Sequence, residues 1–123
     1  MKSKRAKAVD ISPKVKREVW ERDGHKCIIC GSPLAAPNAH YIPRSAGGLG
    51  IPENIVTLCT NFSENKCHYR YDFGSKEDRE EIGQKIESYL RSIYPEWDKK
   101  KLVYRKYDFD FSSDEWRMPE WED

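Results

Sequence analysis

No stretch of this 123-residue sequence approaches the length of a membrane span, and no apolar run follows its basic start. Neither a membrane-embedded chain nor an exported one is expected, and the expected location is the cytoplasm. No internal repeat is present, and no helix-turn-helix or other repeated reading module is attached. Apolar residues are themselves scarce: 37% are hydrophobic and 35% are charged. A single domain with so thin a core usually needs a staple. The chain has only four cysteines to supply one. In a reducing compartment these read better as metal ligands than as disulfides or free buried thiols.

The formal net charge of +1 hides an uneven distribution. Lys2, Lys4, Arg5 and Lys7 open a basic half that Lys14, Lys16, Arg17, Arg22 and Lys26 continue. The other end carries Asp108, Asp110, Asp114, Glu115, Glu120, Glu122 and Asp123 against Arg117. A basic half beside an acidic tail is compatible with nucleic-acid binding, as it is with a solvated surface. Residues 1–11 are expected as a flexible basic arm, with Lys4 and Arg5 as phosphate contacts. The main domain is expected over 12–107. The acidic, aromatic tail over 108–123, with Trp116 and Trp121, is expected to dock a protein partner or to cover the basic surface.

Along the chain, Ser12-Pro13 is a helix start, and Val15, Val19 and Trp20 share one face of a helix over 13–22. Asp23-Gly24 ends it. Residues 33–37 promise little regular structure. Short strands are expected over 38–42 and 55–58, joined by a loop in which Gly47, Gly48 and Gly50 supply positive φ. A short helix is expected over 67–73. Ser75 then caps the longest helix with Asp78 as its capping-box partner, and Ile82, Ile86, Leu90 and Ile93 form its apolar stripe before Pro95. Residues 102–107 are expected to add a strand or an irregular segment.

Cys27 and Cys30 form a CxxC pair, a favoured way to present two thiolates to one tetrahedral ion. Cys59 and Cys67 would complete the set, with Thr60 to Lys66 looping out between them at modest entropic cost. Four thiolates fill a zinc ion's sphere, so the role expected for Zn2+ is structural. The competing arrangement places His68 in the sphere instead of Cys67.

Between the two cysteine pairs runs Ala39-His40-Tyr41-Ile42-Pro43-Arg44, then Gly47-Gly48, then Glu53-Asn54-Ile55-Val56-Thr57-Leu58-Cys59, and finally Cys67-His68-Tyr69-Arg70-Tyr71-Asp72. In order and spacing this resembles the HNH endonucleases, particularly the small ones of phages and bacteria whose active site is bracketed by cysteine pairs. The resemblance covers about residues 14–74. It implies an α+β fold: a small ββα-metal core stapled by a four-cysteine zinc site, with an N-terminal helix and a longer C-terminal helix. The implied setting is a bacterial host or a phage-encoded protein.

The resemblance also implies roles. His40 matches the general base that activates water, and Asn54 the residue that braces the loop and orients that base. His68 and Asp72, one helical turn apart, match ligands of a catalytic divalent ion, for which a carboxylate suits Mg2+ or Mn2+. Arg44 and Arg70 are candidates to grip phosphate. The implied activity is metal-dependent hydrolysis of phosphodiester bonds in nucleic acid, with double-stranded DNA the expected partner. Ala39 departs from the pattern, because many members carry an acid or histidine there as a first metal ligand. Asn38 or Asn54 would then assist the ion. The same departure keeps open an alternative, a zinc-stabilised module of the same fold that binds nucleic acid without cutting it.

Overall fold

A computed structural model describes residues 3–105. The acidic tail over 108–123 and its two tryptophans lie outside the described residues, as does the end of the expected 102–107 segment. Among the described residues the fold is α+β: one two-stranded antiparallel sheet with helices packed on it. The first difference from expectation is at the start. Lys4–Val9 forms a helix, α1, capped by the Ser3 hydroxyl on the Ala6 N–H at 3.1 Å. Six residues are too few to hold a helix alone. What orders this one is tertiary: Val9 is 4% exposed, and the Ala8 carbonyl accepts from the Gly50 N–H at 2.9 Å. Residues 4–9 are therefore a docked element, not a flexible arm.

Helix α2, Pro13–Arg22, begins and ends where expected, with the Ser12 hydroxyl accepting from the Val15 N–H. Val19 is its fully buried residue. Strand β1 runs Ala35–His40 and pairs with β2, Ile55–Cys59. β1 starts three residues earlier than expected and stops two earlier. Ala36 opposes Leu58 and Ala39 opposes Val56, so β1 carries one extra residue between them, a bulge containing Pro37 and Asn38. A bulge accepts proline because one residue there makes no ladder bond. Every residue of β2 is buried, which makes it the centre of the domain.

Helix α3, Cys67–Phe73, and helix α4, Lys76–Ile93, match their expected bounds. Ile82, Ile86 and Leu90 of α4 enter the core with Ala39, Val56 and Leu58. The Ser75 hydroxyl caps the Asp78 N–H, but the Asp78 carboxylate turns to Arg70 at 3.0 Å, so the box closes on one side only. Asp23 ties the layers together. It accepts from Arg22 at 2.7 Å, from the Thr57 N–H at 2.8 Å and from the Tyr89 hydroxyl at 2.6 Å, joining α2, β2 and α4. Arg22 also donates to the carbonyls of Pro52 and Ile55.

In the loop joining the strands, only Gly47 has positive φ, at 83°, closing a 3-10 turn over Arg44–Ala46. Gly48 and Gly50 are required for a different reason. A Cβ on Gly48 would run into the Ile42 carbonyl, and one on Gly50 into the Asp10 carbonyl. Leu102 to Tyr104 returns along this loop through a single bridge, Val103 to Gly48, rather than a strand. Gly48→Ala is expected to destabilise the protein by about 1–3 kcal/mol, the usual cost of forcing atoms into a filled site. An unchanged urea midpoint would show that the loop can move aside.

Candidate functional site

The four cysteines converge because each sits at the end of an element or in a tight turn. Cys27 and Cys30 flank a turn in which the Gly31 N–H bonds the Cys27 carbonyl at 3.0 Å. The N–H groups of Ile29 and Cys30 point at the Cys27 sulfur. Cys59 ends β2, Cys67 begins α3, and the Cys67 N–H donates to the Cys59 sulfur at 3.0 Å. The four sulfurs all lie within 4.8 Å of one another. Sulfurs around one tetrahedral ion with bonds of about 2.3 Å stand about 3.8 Å apart, so the cluster is sized to hold a metal ion such as zinc. Cys67 rather than His68 belongs to it.

The thiols differ in character. Burial pushes the Cys67 thiol far up, with Cys59 and Cys27 adding to the effect, and burial also raises Cys27. For Cys30 burial acts upward too, but the Ser32 backbone, the Asn65 side chain and the neighbouring cysteines outweigh it and bring the thiol down to about 7. Like charges this close resist ionising together, and a bound cation removes that resistance.

A cleft of about 830 Å³ brings together His40, His68 and Asp72. His40 ends β1 and is 8% exposed. Its Nε2 lies 2.8 Å from the Val9 carbonyl oxygen. A carbonyl only accepts, so Nε2 carries a proton and the neutral ring has its lone pair on Nδ1. Burial lowers the His40 pKa below its ordinary 6.5; the Val9 carbonyl and Asp72 oppose this, while Arg44 and His68 assist it.

Asn54, fully buried just before β2, braces the end of β1. Its Oδ1 accepts from the Ile42 N–H at 2.8 Å, and its Nδ2 donates to the carbonyls of Ile42 at 3.2 Å and Leu49 at 2.9 Å. Both Nδ2 protons and one Oδ1 lone pair are used within the loop, and the side chain is fully buried, so it acts as a brace. His68 and Asp72, on successive turns of α3, meet at 3.1 Å from Nε2 to Oδ2 and are each about one-third exposed.

The remaining expected residues divide. Arg44 lines the cleft and pairs with Asp10 at 2.7 Å. Arg5, on α1, reaches the carbonyls of Arg44 and Ser45 at 3.4 Å, and Lys4 is exposed on the same helix. Arg70 pairs with Asp78 at 3.0 Å, outside the lining of the cleft. Ala39 is fully buried in the core. Asn38, Lys76 and Arg79 line the cleft as well. The sequence singles out neither Lys76 nor Arg79, and it offers Asn38 only as an aid to the ion. Asn38 lies in the bulge, which nothing in the composition announces. Lys76 and Arg79 are readable in retrospect as an i, i+3 pair in the first turn of α4.

Asn54→Ala would leave the Ile42 N–H and the Leu49 carbonyl without their partner. A loss of about 1–3 kcal/mol per stranded group is the expected scale, read as a lower urea midpoint. A variant as stable as the parent would remove the brace.

No protein-family model matches this chain, and no solved structure matches it. Among curated proteins it is similar to the anaredoxin of Nostoc sp. (strain PCC 7120 / SAG 25.82 / UTEX 2576), with 31% identity over 62 residues, which are 50% of this chain and 75% of the relative. At that identity and coverage, the chain belongs to the same family as the Nostoc anaredoxin.

Proposed function

We propose that this chain is a metal-dependent endonuclease of the HNH, or ββα-metal, type that hydrolyses phosphodiester bonds in DNA. The observation that carries the reading is the meeting of His40, His68 and Asp72 in one cleft, at the end of a β-hairpin strand and on the helix that follows the hairpin. The motif supplies the residue types, and the cleft supplies a place for them to act together.

His40 is the general base. With Nε2–H held on the Val9 carbonyl, Nδ1 takes the proton from water as the water oxygen forms its bond to phosphorus and the bond to the leaving oxygen breaks. The Val9 carbonyl also stabilises the imidazolium that results. Arg44, Lys76 and Arg79 hold the phosphates along the cleft. His68 and Asp72 are chemically suited to a magnesium or manganese ion that keeps much of its water; among the described residues no third acid or histidine joins them. When bound, such an ion supplies charge neutralisation at the phosphate and the leaving oxygen. Asn38 is the better candidate than Asn54 to assist it, because Asn38 lines the cleft and is exposed.

The cysteine cluster is read as a structural zinc site: four thiolates close the coordination sphere and leave no position for substrate. Metal analysis should find one zinc per chain. Cys27→Ser should lose it and unfold or aggregate the domain. A zinc-free parent, or a variant with an unchanged melting curve, would sink the assignment. An iron-loaded cluster with a reversible redox signal would move the reading to electron transfer, since four thiolates suit iron equally.

Catalysis is tested by incubating the purified protein with plasmid, with and without magnesium or manganese. His40→Ala should cut on the order of a hundredfold to ten-thousandfold more slowly and still bind the catalytic ion. His68→Ala should bind that ion weakly and regain part of its activity at high manganese. Because burial lowers the His40 pKa, the base stays neutral further into acid than an ordinary histidine. Activity should therefore rise with pH through a midpoint below 6.5 and hold above it. Normal cutting by His40→Ala removes the base assignment. Salt-dependent DNA binding without any cutting supports the non-cleaving alternative.

A further inference from the structure

Among the described residues, four large hydrophobic side chains are exposed, and three of them are aromatic rings on α3 or the loop before it. Tyr69 and Phe73 lie one turn apart on α3, 52% and 73% exposed, with ring centroids 5.5 Å apart at 45°. They share a hollow of about 240 Å³ with Thr60, Asn61, His68 and Asp72. Phe62, 88% exposed, follows Asn61 on the loop between Cys59 and Cys67. Rings this exposed contribute little to the core, and single ones need no explanation. Here, however, two pack on each other, and the hollow they line shares His68, Asp72 and Phe73 with the cleft.

We propose that Tyr69 and Phe73 form a stacking ledge for the bases of an unpaired nucleic-acid strand. The inference rests on the reading that the cleft takes nucleic acid, and it specifies the form of that substrate. The neighbours argue for a polyanion rather than an apolar protein surface: Phe73 lines the cleft with the cations Lys76, Arg79 and Arg44, which outnumber the carboxylates Asp72 and Glu80 there. Rings and cations then divide the work, bases on one and phosphates on the other. A duplex presents no free base faces to such a ledge, because each base is covered by its stacked neighbours. An unpaired strand, or one splayed at a junction, presents them. Stacking is tolerant of sequence, since every base has a π-face.

The test measures binding with the full-length, metal-loaded protein and no added magnesium or manganese. Fluorescence anisotropy compares an oligothymidylate of about 16 nucleotides with a duplex of the same length. A 2-aminopurine placed in the single strand reports stacking by quenching. The parent is expected to prefer the unpaired strand and to quench the probe. Tyr69→Ala/Phe73→Ala should lose roughly fivefold or more in unpaired-strand affinity per ring, leave duplex affinity nearly unchanged, and release the quenching. Tyr69→Phe and Phe73→Tyr keep the rings and should retain both. Bound zinc and the melting curve check that the alanine variant is folded.

Equal losses on both substrates, or a parent that prefers the duplex, overturn the ledge and leave the nuclease reading intact. Binding to neither strand overturns both. Ring-dependent binding here, with no cleavage once magnesium or manganese is added, keeps the ledge and removes only the catalytic reading. A parent dimer that dissociates in the double-alanine variant, with unpaired-strand affinity unchanged, assigns the rings to self-association and overturns the proposal.

Discussion

The position of α3 decides what the cleft can do, and four sulfurs set that position. Cys59 ends the central strand and Cys67 begins α3, so the cluster pins the first turn of the helix to the sheet. His68 is the next residue, and Asp72 lies one turn beyond it. The helix has seven residues and no side-chain cap; Lys66 before it is held at φ 45°. Little in the segment itself favours a helix at that point. A metal ion held by the four sulfurs, which lie within 4.8 Å of one another, would supply what local propensity does not. Small displacements at the cluster would move both cleft side chains together.

His40 reaches the same cleft by a different route, through three supports. Pairing of β1 with β2 sets its height, Asn54 holds the backbone just past it, and the Val9 carbonyl turns its ring. The supports come from separate stretches of chain, one of them the N-terminal helix. The cleft is thus assembled from parts that are ordered only in the folded domain. Tyr71 adds a direct tie, its hydroxyl bonding the Tyr41 carbonyl next to His40.

Much of this was legible in the sequence, and the failures have physical causes. Helices α2 and α4 carried clear starts, Ser12-Pro13 and Ser75, whereas α3 was placed by the resemblance rather than by any local start signal. The central strand carried an apolar run. The start of β1 was hidden because Pro37 reads as a strand breaker and is harmless only in a bulge. Helix α1 was hidden because its charges suggest solvent, while its order comes from contacts with residues far along the chain. Gly48 and Gly50 looked like sources of conformational freedom, yet what they provide is room for another stretch of backbone. The pairing of Arg70 with Asp78 across the helix junction is visible only in the fold, which brings the two together. The cysteine pairing was legible because sulfur spacing constrains geometry directly. The cations at the start of α4 carried no such signature.

The bulge in β1 has a consequence for how this hairpin can vary. Side chains on a strand alternate with a period of two, so without the extra residue the cysteine end and the histidine end of β1 would be locked to one parity. The added residue works as a phase shifter between them. Ala35, paired with Cys59 at one end, and Ala39 and His40, at the cleft end, can each take the facing their own surroundings demand. A chain that lost one residue between Ala36 and Ala39 would keep nearly all of its composition and its motif, yet one end of the strand would present the wrong side.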